Sequence, residues 1–443
     1  MARLFGTSGI RLSVKDLTDQ FCFDIGRTFA KFLKKHKQKG KVAVGMDTRK
    51  SSPRVKKAFV AGVLYEGYEV IDQRIVPVPA MNYLLLSSPS FVGSCMITGS
   101  HIRQEFNGLK FFAFDGEILK KHEREIEKIY EGIKGKVCFK GKKMKLKNSN
   151  QAEKNYERML LSIDDSPYPK WKVIVDLGNG CQSKIIPKIL KKLRLETIVI
   201  NSSLDSAKFL ARDTETEDAV KQLQRKVKKE KADFGMAFDA DGDRVVFVDE
   251  DGEFIPGDYT GALIAKYSPT KVIVTPISTS QVVNNIGKKV IRTKVGSPYV
   301  IEMMKKHKSR FGFEPNGGGI SAEIMMTRDA GSTTIKILNL LKKTRKSLKE
   351  LLVTFPKFYL YRTKAVCPQE LNDIILREAR KKYKGIKTEK VDGVKIWIGK
   401  STWILFRPSK NAPEFRVFAE AKTQSAAKKL GSEGIEFVKS FIK

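Results

Sequence analysis

The stretch KVAVGMDTRKSSPRVKKAFVAGVL, residues 41–64, opens on a β-branched run, passes through a small-polar loop and continues in a helical hydrophobic pattern. A buried strand feeding an amphipathic helix is the βα half of a parallel crossover unit. The same plan returns in KVIVDLGNGCQSKIIPKILKKL from residue 172 and in KVIVTPISTSQVVNNIGKK from residue 271. Three repeats of one plan predict three related α/β domains. After Pro356 the character changes: FYLYRTKAVCP, KIWIGKSTWILFRPS and FRVFAEA alternate as exposed-face antiparallel strands do, with helical patterns at 369–382 and 425–441. The expected division is 1–150, 151–255 and 256–356 for the α/β domains and 357–443 for a smaller α+β domain. Polar residues in loops at the carboxyl ends of parallel strands are functional candidates, because ligands of open α/β sheets bind there.

A chain of 443 residues exceeds what one hydrophobic core usually holds, in keeping with several domains. Hydrophobic content of 41% and charged content of 30% are ordinary for folded proteins. No segment approaches the roughly 20 apolar residues that cross a membrane, and the N-terminal MARLFGTSGIR has no apolar signal region. No membrane partner and a cytoplasmic location are expected. The cysteines, at 22, 95, 138, 181 and 367, are odd in number and irregularly spaced, which suggests neither a disulfide framework nor a zinc site.

The net charge of +35 raises the question of nucleic acid. The lysines are spread over helix-like faces (LKKHKQKGK, RKVKKEK, MMKKHK, KILKKLR), without arginine–aromatic interleaving or zinc-finger spacing. They read as a solvated basic surface, and no specific nucleic-acid partner is expected. The basic run KGKKMKLKN, residues 140–148, reads as a surface connection between domains.

The sharpest chemical signal is FDADGDRVVFVDEDG, with Asp239, Asp241 and Asp243 at alternate positions around Gly242. Two carboxylates about 4 Å apart repel by about 4 kcal/mol at an effective dielectric near 20. A hard divalent ion is the natural way to gather them. A calcium EF-hand loop also begins D-x-D-x-D, but its sixth position needs glycine where this chain has Arg244, and its flanks are helices where this chain has the strand-like VVFVD.

In ITGSHIRQEFNGLKFF, residues 97–112, apolar runs on both sides place Ser100 and His101 in a loop between strands. No G-x-S-x-G elbow supports a hydrolase. A serine that carries phosphate fits better, since a phosphoserine needs nearby cations and His101, Arg103 and Lys110 could supply them. In FRPSKNAPEFRVFAEA, Arg407, Ser409, Lys410, Asn411 and Arg416 surround one loop, offering the hydroxyls and forked guanidinium donors that a phosphate dianion requires. In GFEPNGGGI, Glu314 and Asn316 precede three glycines; a carboxylate and an amide there can bind vicinal sugar hydroxyls.

Taken in order, FGTSGIR, TGSH…NGLK, DADGDR, GFEPNGG and RPS…FRV resemble the α-D-phosphohexomutase family of phosphoglucomutases, phosphomannomutases and phosphoglucosamine mutases, in its archaeal branch. The resemblance runs the length of the chain. It implies three similar α/β domains with mixed sheets and a C-terminal α+β domain around a central cleft. It implies interconversion of hexose 1- and 6-phosphates (glucose, mannose or glucosamine) through a phosphoserine and a hexose 1,6-bisphosphate, by a monomer or homo-oligomer. Ser100 would carry the phosphoryl group, and Asp239, Asp241 and Asp243 with a phosphoserine oxygen would bind Mg²⁺. Lys110 would be the general acid/base, assisted by His101, while Arg11 and Arg244 stabilise the transferring group. Glu314 and Asn316 would hold sugar hydroxyls, with Thr293 and Gly296 of the TKVG loop orienting the sugar. Arg407, Ser409, Asn411 and Arg416 would hold the phosphate that is not reacting.

Three departures stand out. Where the family usually reads T-A-S-H-N-P, this chain has Thr98, Gly99, Ser100, His101, Ile102 and Arg103. The sugar loop reads E-P-N-G-G in place of E-x-S-G-H, and Lys410 and Asn411 replace a Gly-Thr pair. A mutase-like scaffold that binds sugar phosphates without turnover is the alternative reading; intact Asp239, Asp241, Asp243, Lys110 and Arg416 argue against it.

Overall fold

The computed structural model describes residues 4–114, 116–141, 145–409 and 413–442, and builds four sheets from them. In the first sheet, Lys41–Met46 lies parallel to both Glu69–Ile75 and Phe91–Ile97, and Phe91–Ile97 turns back into the antiparallel Phe106–Ala113. The second repeats this with Lys172–Asp176 between Glu196–Ile200 and Phe234–Phe238, the last of which turns back into Val245–Val248. The third repeats it with Val272–Pro276, Lys289–Thr293, Phe311–Glu314 and the antiparallel Gly318–Ser321. Each domain therefore has one spatial strand order, second–first–third–fourth, and is mixed. The fourth sheet is wholly antiparallel, in the order Tyr359–Val366, Glu414–Ala421, Thr402–Pro408, Val394–Gly399, Thr388–Glu389.

Central strands are buried on both faces, which is why they read as continuous apolar runs. Along Lys41–Met46, Val42 and Val44 face one core and Ala43 the other; along Phe106–Ala113, Phe111 and Phe112 divide the same way. The core that holds Ala43 and Phe112 continues through Met236 and Phe238 to Ile273 and Phe311, so three domains share apolar packing. Asn372–Lys382 and Gln424–Lys439 cover the fourth sheet through Ile375, Ala379, Ile435 and Val438. Trp403, Leu405 and Phe418 from that sheet close on Ile277 of the third domain.

Two local expectations are corrected. The helical pattern in SQVVNNIGKK forms only the short 3₁₀ helix Gln281–Asn285, because Asn285 bonds back to the Gln281 carbonyl and Gly287 follows at φ +70°. The basic run 140–148 is more than a connection: Lys147–Asn148 pairs as an edge strand with Glu69–Ile75, while residues 142–144 lie outside the described residues. No helix among the described residues is long and apolar enough to cross a membrane.

The recurrent turn from the third, parallel strand to the fourth, antiparallel one positions the chemistry. TGSH, DADGD and EPNG occupy that same turn in successive domains, so three hairpins project from the carboxyl ends of parallel strands into one cleft.

Candidate active site

Ser100 sits at the tip of the first hairpin, fully buried and in the left-handed region at φ +55°. Its N–H donates to Thr98 Oγ1 at 2.8 Å, and Thr98 Oγ1 donates to Asp241 Oδ2 at 3.2 Å. The loop is held from below by Arg49. Nη1 donates to the carbonyls of Arg103 and Phe106 at 2.8 and 3.0 Å, and Nη2 to those of Ser100 and Ile102 at 2.7 Å each. Nε donates to Asp47 Oδ2 at 3.0 Å, so every N–H of the guanidinium is used. Gly99 makes this possible, because a Cβ there would fall 2.7 Å from Arg49 Cζ. The four bonds to the loop reach backbone carbonyls only. Ile102 and Arg103 can thus replace an amide and a proline while the loop keeps its shape.

The second hairpin brings its three carboxylates beside the serine. Asp239 Oδ1 accepts the N–H groups of Gly242 and Arg244, and Asp239 Oδ2 accepts from Ser100 Oγ at 3.3 Å. Lys110 Nζ donates to Asp241 Oδ2 and Asp243 Oδ2, both at 2.7 Å. Carboxylate oxygens of the three aspartates lie within 4.8 Å of one another. Burial, then Asp241 and Asp243, pushes Asp239 well above the usual carboxylate range. Burial also acts to raise Asp243, but Arg328, Lys110 and Arg244 outweigh it and hold that carboxyl below its ordinary value. Asp241 Oδ1 and Asp243 Oδ1 are buried with no hydrogen-bond partner among the described residues. Clustered hard oxygens, two of them orphaned, fit a divalent cation.

Positive groups ring this cluster. Arg244 Nε lies 3.7 Å from Asp239 Oδ2 and 3.6 Å from Asp243 Oδ1, and it makes no hydrogen bond among the described residues. Burial first, and Arg244 next, lower the Arg11 pKa to about 10. His101 Nδ1 lies 3.3 Å from Ser100 Oγ, and burial together with Arg244, Arg11, Arg328 and Lys110 pushes the imidazole well below its ordinary value. A neutral ring beside the serine oxygen can exchange a proton with it.

The third hairpin carries Glu314 and Asn316. Glu314 Oε1 accepts the Gly296 N–H at 3.1 Å, and Glu314 Oε2 accepts Arg328 Nη1 at 2.8 Å. Asn316 Oδ1 accepts the Gly318 N–H at 3.1 Å, and its carbonyl accepts Thr214 Oγ1 of the second domain at 2.7 Å. Thr293 turns its hydroxyl onto the Lys294 carbonyl at 2.7 Å, a local bond that stiffens the TKVG loop. Gly296, at φ +130°, lies so close to the FGTSG loop that a Cβ would meet Thr7 Cγ2 at 2.4 Å.

In the fourth domain, Arg407 and Arg416 stand directly opposite each other on neighbouring strands. Like charges in that register are destabilising without an anion between them. Arg407 Nε donates to Asp392 Oδ2 at 2.6 Å, and the same oxygen accepts the Val295 N–H at 3.1 Å, which ties this region to the TKVG loop. Arg416 Nη2 lies 3.5 Å from Glu414 Oε2, while its buried Nε has no hydrogen-bond partner among the described residues. Ser409 donates its N–H to the Glu414 carbonyl at 2.8 Å; Asn411 and Lys410 lie outside the described residues.

The fold thus gathers Arg11, Ser100, His101, Lys110, Asp239, Asp241, Asp243 and Arg244, and links Glu314 to them through Arg328. Reading the chain without the structure missed Arg49, Glu117, Arg328 and Asp392. Glu117 accepts from Ser8 and, at 2.7 Å, from Ser297, clamping the FGTSG loop to the TKVG loop. Nothing local marks Glu117 or Asp392. Arg49 follows a strand in DTR, and Arg328 precedes Asp329, the N-cap of the helix Ala330–Thr344.

Fold and site define the class: a four-domain α/β enzyme that moves a phosphoryl group on a hexose, a phosphohexomutase. Models of phosphoglucomutase/phosphomannomutase α/β/α domains I, II and III match residues 2–136, 154–252 and 256–359. Over full length the chain is 34% identical to a phosphoglucomutase/phosphomannomutase of Thermococcus kodakarensis, covering 100% of both chains. It is 32% identical to a phosphoglucosamine mutase of Methanocaldococcus jannaschii, covering 100% of this chain and 99% of the relative. In fold it matches a crystal structure of a phosphoglucomutase/phosphomannomutase family protein from Burkholderia thailandensis, with a TM-score of 0.82, 21% identity, and coverage of 99% of this chain and 97% of the other. The chain belongs to the α-D-phosphohexomutase family.

Proposed function

We propose that this enzyme interconverts 1- and 6-phosphates of glucose, mannose or glucosamine, with Ser100 as the phosphoryl carrier. The observation that carries the reading is the Ser100 hydroxyl at 3.3 Å from Asp239, in a loop pinned by Arg49, beside carboxylates with unpartnered oxygens. In the first half-reaction the P–O bond to Ser100 breaks as one forms to the free sugar hydroxyl, whose proton ends on the serine oxygen. In the second the bisphosphate's other P–O bond breaks as one forms to Ser100, and the serine's proton ends on the sugar oxygen that is released. Lys110 relays the proton each time, with His101 assisting from 3.3 Å. Asp239, Asp241 and Asp243 would hold Mg²⁺, which supplies charge to the phosphoryl oxygens when bound. Arg11 and Arg244 add positive charge on the same side, and positioning with charge neutralisation is most of what phosphoryl transfer needs.

Glu314 and Asn316 hold sugar hydroxyls, with Thr293 and Gly296 shaping the loop beside them. Arg407, Ser409, Asn411 and Arg416 clamp the idle phosphate, so that a hexose 1,6-bisphosphate can turn over in the cleft and present its other end. The domains divide near residues 150, 255 and 356.

A coupled assay over glucose, mannose and glucosamine 1-phosphates, each with a catalytic amount of its 1,6-bisphosphate, tests the reading. Turnover that chelation abolishes and Mg²⁺ restores is the expected result. Binding of all three sugar phosphates with no turnover of any would overturn it in favour of a non-catalytic binding protein.

A further inference from the structure

Arg328 has no part in the roles assigned above, yet its guanidinium joins two of the three hairpins. It is buried, with Nη2 at 2.7 Å from Asp243 Oδ2 and Nη1 at 2.8 Å from Glu314 Oε2. Asp243 Oδ2 also accepts Lys110, and the second oxygen of Glu314 accepts the Gly296 N–H. An unbroken path of charged hydrogen bonds therefore runs from Lys110 in the first domain, through Asp243 in the second, to Glu314 and the TKVG loop in the third. The two carboxylates stand on different hairpins and are reached by separate nitrogens of one planar fork, whereas a lysine would have to reach both from a single nitrogen.

The sugar loop is built to admit this side chain. A Cβ at Gly318 would fall 2.5 Å from Arg328 Cδ and 2.8 Å from Cγ. Gly318 stands at the fifth place of E-P-N-G-G, where the pattern E-x-S-G-H has its histidine. Any side chain at that place would have to displace the arginine stem. Gly318 and Arg328 are thus two halves of one arrangement.

We propose that Arg328 is a positioning residue with two effects of opposite sign: it fixes Glu314 for the sugar, and it offsets the charge of Asp243, weakening that carboxylate's hold on a divalent cation. The inference rests on Asp243 as a metal ligand and Glu314 as a sugar ligand. A residue that only supports the fold would move both affinities in one direction when removed. Arg328 moves them apart.

The test is calorimetric, on the full-length dephosphorylated protein, titrated with Mg²⁺ alone and then with glucose 1-phosphate at saturating Mg²⁺. In Arg328→Met, Mg²⁺ binding tightens by about threefold or more, while glucose 1-phosphate binding weakens by about tenfold or more. In Arg328→Lys the charge stays but the span is lost, so Mg²⁺ affinity stays within about twofold of wild type while sugar-phosphate binding still weakens. Gly318→Ala, which crowds the arginine without removing it, shifts both affinities in the directions of Arg328→Met by smaller factors. Should the methionine variant fail to fold, the lysine and Gly318→Ala variants decide the matter. Parallel weakening of both ligands, or no change in either, overturns the role of Arg328. Wild-type protein that binds neither Mg²⁺ nor a hexose phosphate would instead refute the roles given to Asp243 and Glu314.

Discussion

The two regions proposed to handle phosphate in this molecule are built on opposite electrostatic plans. Around Ser100, cations and carboxylates interleave: Lys110 lies between Asp241 and Asp243, Arg328 between Asp243 and Glu314, and Arg244 near Asp239 and Asp243. In the fourth domain, Arg407 and Arg416 stand directly opposite each other on neighbouring strands, each with its own carboxylate partner, Asp392 and Glu414, rather than one shared between them. A site that must give a phosphoryl group away and take it back is served by near-balance, since excess positive charge would trap the dianion. A site that only grips the idle phosphate gains from stored repulsion, which the anion relieves on arrival.

The contrast predicts different kinetic signatures, and the largest belongs to the serine. Ser100→Ala removes the proposed carrier, so turnover falls to below ~10⁻³ of wild type in the coupled assay. Substantial residual turnover would place the carrier elsewhere. Arg49→Met releases the carbonyls of Ser100, Ile102, Arg103 and Phe106, and kcat falls ~100-fold with KM little changed, since a misplaced nucleophile costs rate rather than binding. Arg416→Met acts the other way: it relieves the opposed charges, so the melting temperature holds or rises, while KM increases roughly tenfold or more for loss of a charged hydrogen bond of ~1.5–3 kcal/mol. A fall in kcat without a rise in KM would erase the distinction between the two regions.

The smallest effect concerns the seam between the third and fourth domains. Lys395 donates to the Ile277 carbonyl at 3.1 Å beneath the Trp403 ring, whose centroid is 3.7 Å away. Burial, with the charge of Arg292, pushes this ammonium down to about 7 against the pull of Glu420. The unfolded chain keeps the proton up to a pKa near 10.4, so between about pH 7 and 10 it binds more protons than the folded one. Stability therefore rises with pH across that window. Lys395→Met removes the slope, as thermal melts at pH 7, 8 and 9 would record; an unchanged slope would show that Lys395 is not its source.

Much of the fold was legible in the chain because its signals are local. Three strand–helix patterns announced three α/β domains, and the alternation after Pro356 announced an antiparallel sheet. The pattern after Thr279 misled, because hydrophobic spacing alone takes no account of Asn285 bonding back to the Gln281 carbonyl. The loops were placed at the carboxyl ends of strands, but not as equivalent hairpins, since strand order is a property of pairing partners far apart in sequence.

By itself the sequence determined the chemistry on offer: a serine beside a histidine, aspartates that need a cation, and arginines suited to phosphate. Residue types and short spacings carry that information. Only the tertiary structure decided which groups meet. Arg49 is 51 residues from Ser100 and Arg328 is 85 from Asp243, and no local pattern could pair them. Charge balance in a buried cleft is a sum over all the domains that line it, so it exists only once they close on one another.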